Sequence, residues 1–116
     1  MSIERKHAGK RMSQVVVHGD TAYLAGQVAE NAAGAPAGKQ MEDILRRIDE
    51  LLAEVGSDKS KLLSATIWLA DIRDYDAINV AWDAWLVEGS APARACVEAK
   101  LASPKFTVEV GVIAAC

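Results

Sequence analysis

Between Lys39 and Val55 the apolar residues Met41, Ile44, Leu45, Ile48, Leu51, Leu52 and Val55 recur at helical spacing and form one stripe. Glu42, Asp43, Arg46, Arg47, Asp49 and Glu50 fill the intervening positions as a solvated face. The spacing predicts a helix over 39–55, ended by Gly56 as a left-handed C-cap. Tyr75, Ile78, Trp82, Trp85 and Leu86 give a second stripe, a helix over 73–87 with Asp71 or Asp74 as its cap and Gly89 as its stop. Five other runs read as strands: 13–18, 21–25, 62–70, 93–101 and 106–114. The first two are joined by Gly19-Asp20 and read as a hairpin. The last two are separated by Ser103 and Pro104, and the Ala-, Gly- and Pro-rich stretch 30–38 reads as a loop. The order ββ-α-β-α-ββ predicts an α+β fold, a mixed sheet with both helices packed on one face.

Two strands depart from simple alternation. Val15, Val16 and Val17 are consecutive, and Leu62 to Leu69 places apolar residues in both alternating phases. A strand apolar on both faces needs cover on both, and two helices supply cover for one. The expectation is that the second face meets other copies of the chain.

Composition narrows the function classes. With 116 residues the chain fits one domain, 1–116; it is 51% hydrophobic and 25% charged, as soluble globular domains are. Thirteen basic against sixteen acidic residues leave a net charge of −3 and a pI near 5.3, with no basic stripe. Nucleic-acid binding draws most of its affinity from phosphate contacts and is not expected here. Cys96 and Cys116 form no CxxC pair and the only histidines are His7 and His18, so Cys and His alone cannot build a zinc site. No apolar run reaches a membrane-spanning length and the first residues are polar, so a cytoplasmic, reduced protein without metal or cofactor is expected.

Alternation puts Arg94, Cys96 and Glu98 on one face of their strand and Ala95, Val97 and Ala99 on the other. In the last strand Thr107, Glu109 and Gly111 oppose Val108, Val110 and Val112. Glu109 is the one charge inside a strongly apolar, β-prone segment, where a carboxylate needs water, a cation or a polar pocket. Taken singly, Arg94 reads as a surface arginine and Glu109 as a residue on a wet sheet face.

Their order says more. Pro92-Ala93-Arg94, followed by Cys96-Val97-Glu98, resembles the signature of the RidA/YjgF family. Val108-Glu109-Val110 stands where that family has Val-Glu-Ile, Gly26-Gln27 is similar to its Ser-Gly-Gln, and Asn79 matches an asparagine on its second helix. Ala65 to Asp71, Ala81 to Trp85 and Pro104-Lys105 resemble the YoaB-like branch most. The resemblance spans nearly the whole chain. It implies a chorismate-mutase-like fold, a homotrimer with inward-facing sheets, and three clefts between subunits. It also implies hydrolysis of 2-enamines and 2-imino acids, such as 2-aminoacrylate, to 2-keto acids and ammonia, with no cofactor. Arg94 then binds the substrate carboxylate through a bidentate fork. Cys96 and Gly26 border the substrate, and Glu109 orients water or moves protons. Met12 stands where the family has a tyrosine, Ala25 where it has serine, and Gly111 where it has a second acid; the loop ahead of Pro92 is also shorter. These departures bear on substrate choice. Three alternatives stay open: a carboxylate-binding module without turnover, a ribonuclease, and a pathway-specific deaminase acting on an aminomuconate-like enamine.

Overall fold

The computed structural model describes residues Met1–Cys116. The long apolar stripe forms a helix over Ala37–Glu54 (α1), two residues earlier than its periodicity predicts. Pro36, with φ −57°, stands at the N-cap and pre-sets the entry of the chain. Gly56 follows with φ +72°, the left-handed conformation expected of it. The second helix, Tyr75–Trp85 (α2), is shorter than the expected 73–87, because Ile72–Asp74 is a 3₁₀ turn. Asp71 caps that turn by accepting from the Arg73 N–H, whereas Asp74 makes no side-chain cap.

Seven strands form one sheet: Ile3–Lys6 (β1), Val15–His18 (β2), Thr21–Leu24 (β3), Gln27–Val28 (β4), Leu62–Leu69 (β5), Ala93–Glu98 (β6) and Val108–Ala115 (β7). Their spatial order is β1-β2-β3-β7-β5-β6, with β4 also on β7. Only β5 and β6 run parallel, so the sheet is mixed, as expected. The sequence pattern misses β1 and β4, so the observed order is ββββ-α-β-α-ββ. β1 contains one apolar residue, Ile3, and is a charged, exposed strand at the sheet edge. β4 is two residues long and too short to show alternation.

Val15, Ala22, Leu24, Ala65, Ile67, Leu69, Val108, Val110 and Val112 bury one sheet face against Ile44, Ile48, Leu51, Ile78 and Trp82 of the helices. Burying a side chain of this size stabilises the fold by about 1.5–3 kcal/mol relative to leaving it exposed. Part of the two-phase pattern in β5 has a local cause. Leu62 pairs with Ala114 and Ser64 with Ile113, so Leu63 is an extra, bulged residue. It shifts the phase and lets Leu62 and Ala65 face the same core. The other sheet face still carries apolar groups: Tyr23 is 45% and Val97 47% exposed, and Trp68 is half-buried. No helix is long and apolar enough to cross a membrane.

A second bulge shapes the centre of the sheet. Tyr23 pairs with Ile113 and Gln27 with Val110, so four steps on one side answer three on the other. The extra residue lies within Leu24–Gly26, and it restores Gln27 to the buried face, where its side chain donates to Gln14 Oε1 at 2.7 Å. Gln40, fully buried in α1, ties two loops together. Its Nε2 donates to the carbonyls of Ala35 and Lys105, and its Oε1 accepts from the Thr107 N–H.

Candidate functional site

β6 is an edge strand, and Arg94 pairs there with the buried Ala65, so its side chain leaves the sheet on the helix side. It lies against α2. Nη1 donates to Asn79 Oδ1 at 2.8 Å and Nη2 to the Tyr75 hydroxyl at 3.0 Å. The guanidinium carbon is 5.6 Å from the Tyr75 ring centre and 5.5 Å from that of Trp82, within cation–π range. Tyr75, Asn79 and Trp82 are spaced i, i+4 and i+7, so one face of α2 presents all three. Arg46, Arg47 and Arg73 each hydrogen-bond a carboxylate. Arg94 is the arginine held in place by neutral side chains, with no carboxylate within 4 Å, which leaves its charge available to an anion.

Cys96 pairs with Ile67 and shares the face of Arg94, half-buried against the core. Burial pushes its thiol pKa up, against a smaller downward pull from Arg94. The thiol form is a poor nucleophile. Glu98, on the same face, accepts from the Ile72 N–H at 2.9 Å and serves the start of the helical region.

Glu109 stands elsewhere. Its neighbours Val108 and Val110 are fully buried under the helices, so Glu109 emerges from the opposite face, beside Trp68 on β5 and Val28 on β4. Burial holds its carboxyl above the ordinary glutamate pKa. The carboxylate lies directly over Gly26 at the bulge. A methyl group there would sit 2.9 Å from Glu109 Cδ and 3.2 Å from Cγ. The Trp68 ring lies beside Gly111 at ordinary contact distance, 3.5 Å from where a methyl would be, so that group would meet no clash. Gly26 therefore leaves room for the carboxylate.

The structure thus brings Gly26 to Glu109, and Cys96 to the face of Arg94, but separates the two pairs. Arg94 is level with Val112 through Ala65, so Glu109 is two strands across and three residues along, each about 10 Å, and on the other face. Sequence reading gave Tyr75 and Trp82 to the core stripe alone; their contact with Arg94 was readable only once α2 and β6 were known to be neighbours. Met12 is 49% exposed in the turn closed by the Gly9 N–H donating to its carbonyl. No three His, Cys, Asp or Glu side chains converge as a metal site would require.

Residues 3–116 match the family model described as Endoribonuclease L-PSP. The chain is 48% identical over 115 residues to the RutC family protein YoaB of Escherichia coli, covering 99% of both chains. It is 32% identical over 107 residues to the 2-iminobutanoate/2-iminopropanoate deaminase of Capra hircus, covering 88% of this chain and 77% of that one. A crystal structure of a YjgF protein family member from Neisseria meningitidis superposes with a TM-score of 0.95 at 43% identity, over 99% of this chain and 95% of the other.

Proposed function

This chain belongs to the RidA/YjgF family, the RutC and Endoribonuclease L-PSP proteins, and we propose on that premise that it hydrolyses small 2-enamine and 2-imino acids to 2-keto acids and ammonia. The observation that carries the proposal is Arg94, a fixed guanidinium with neutral partners and an unanswered charge. A 2-imino acid presents a carboxylate that a guanidinium binds through two parallel charge-assisted hydrogen bonds. The named activity of the goat relative supports the substrate class.

The imine carbon is already electrophilic, so catalysis needs a positioned water and modest proton transfer. Glu109, with a raised pKa, suits both: as carboxylate it takes a proton from the attacking water, and as acid it returns one to the departing nitrogen. Water adds to the C=N carbon to give a carbinolamine, whose C–N bond then breaks to release ammonia and leave the keto acid. Cys96 borders the substrate and keeps its proton.

Arg94 and Glu109 leave opposite faces of one sheet, so the complete site is assembled between copies. Arg94 and Cys96 of one copy meet Gly26 and Glu109 of a neighbour. The apolar groups on the face away from the helices, Tyr23, Trp68 and Val97, support such an interface, and a homotrimer of chorismate-mutase-like subunits is the arrangement proposed. The free thiols of Cys96 and Cys116 fit a reducing cytoplasm.

The test couples an amino-acid oxidase, which generates 2-iminobutanoate and related imines, to measurement of their decay. The parent should accelerate decay, Arg94→Ala should abolish the acceleration, and Arg94→Lys should retain little, since an ammonium lacks the planar fork. A parent that binds 2-oxobutanoate without accelerating decay would instead be a carboxylate-binding module. Full activity in Arg94→Lys would sink the bidentate argument.

A further inference from the structure

We propose that the Tyr75 hydroxyl is a second donor to the substrate carboxylate, beside Arg94. The proposal rests on the imine-deaminase reading above and names a binding residue for that site. A phenol has one hydrogen to donate and lone pairs to accept with. Here the oxygen accepts from Arg94 Nη2 at 3.0 Å, which spends a lone pair and leaves the hydrogen. No acceptor in the chain takes that hydrogen, and Tyr75 is 40% exposed. A carboxylate oxygen on Nη2 lies roughly 2.8 Å from that nitrogen. It therefore comes within reach of a hydroxyl that is itself hydrogen-bonded to the same nitrogen.

The arrangement around the hydroxyl is built to hold it there. Asn79 fixes Nη1 from one helical turn further along α2, and Trp82 lies on the guanidinium from the next. Asn79 and Trp82 are positioning residues in this scheme; Tyr75 touches the substrate. A carboxylate then meets three donors, two from the guanidinium and one from the phenol. All three come from a cluster with no negative charge of its own to compete.

Tyr75→Phe isolates the hydroxyl, because the ring stays against the guanidinium. Calorimetric titration with 2-oxobutanoate, the keto acid of the proposed reaction, should show roughly tenfold weaker binding in this variant, as expected for one lost hydrogen bond to a charged group. KM for enzymatically generated 2-iminobutanoate should rise by a similar factor, with kcat within about twofold of the parent and the melting temperature unchanged. Parent-like affinity in Tyr75→Phe overturns the proposal. So does a variant that loses affinity, kcat and melting temperature together, which is the signature of a structural tyrosine. Arg94→Ala separates this proposal from its foundation: if that variant, too, binds 2-oxobutanoate as the parent does, or if the parent does not bind it, the carboxylate-anchor reading fails and Tyr75 falls with it.

Discussion

Gly26→Ala places a methyl group where the Glu109 side chain now lies. The added carbon would be 2.9 Å from Glu109 Cδ, with the nearer carboxylate oxygen closer still, against an ordinary contact of 3.4 Å or more. Cδ must retreat by at least about 0.5 Å and the oxygen by more, and misplacement of about 1 Å costs a reacting group up to ~10²-fold. The obstacle is the end of a flexible side chain and not backbone, so the fold has a way to yield. Gly26 has no positive φ to lose, and alanine narrows the unfolded ensemble by about 0.4–1 kcal/mol where the native backbone accepts it. The expected outcome is a melting temperature within a few degrees of the parent and an imine-hydrolysis rate about ten- to a hundredfold lower. Combining Gly26→Ala with Glu109→Gln should add little to the loss of Glu109→Gln alone, because both act on one group. Thermal melts and the coupled oxidase assay on the two single variants and the double variant decide the matter. A Gly26→Ala protein as fast as the parent would refute the claim that the position of this carboxylate matters. A collapse in melting temperature would show that the glycine serves the bulge instead.

Glu109→Gln should lower the rate by at least about tenfold, since general acid–base help is worth ~10²–10⁴-fold and background hydrolysis compresses that range. Folding raises the pKa of Glu109, so the parent gives up stability as pH climbs through the ordinary carboxylate range. Glutamine carries no such proton, and the melting advantage of the variant over the parent should widen between pH 4 and pH 7. Gln40→Leu keeps the volume but strands the Ala35 and Lys105 carbonyls and the Thr107 N–H in the interior. Urea unfolding at fixed protein concentration should show a loss of about 2–4 kcal/mol, and an unchanged midpoint would contradict that accounting.

Both helices, the hairpin and the mixed sheet were legible because long stripes and β-branched runs carry their periodicity in the residues themselves. β1 was not, since Ile3-Glu4-Arg5-Lys6 is a strand only by pairing with Val15–His18, an edge role that leaves its side chains in water. The bulge at Leu63 accounts for part of the two-phase pattern of β5, and no local signal distinguishes an extra residue from a second buried face. The site followed the same division. Motif order singled out Arg94, Cys96, Glu109 and Gly26, and alternation grouped Arg94 with Cys96. That Arg94 and Glu109 face opposite ways depends on which strands neighbour β7, a long-range fact. The hold of Tyr75, Asn79 and Trp82 on Arg94 depends likewise on α2 lying over β6.

The central claim is an imine-hydrolysing site made from Arg94 of one copy and Glu109 of another. Co-expression of Arg94→Ala and Glu109→Gln chains, differently tagged so that mixed assemblies can be isolated, tests it most directly. Each variant alone lacks a half of every site. In a cyclic trimer that contains both chains, about one site in three joins an intact Arg94 to an intact Glu109 across a subunit boundary. The isolated mixed assemblies should therefore recover roughly a third of the parent's imine-hydrolysis rate, well above either variant by itself. Mixed assemblies no faster than the separate variants would contradict a site shared between copies.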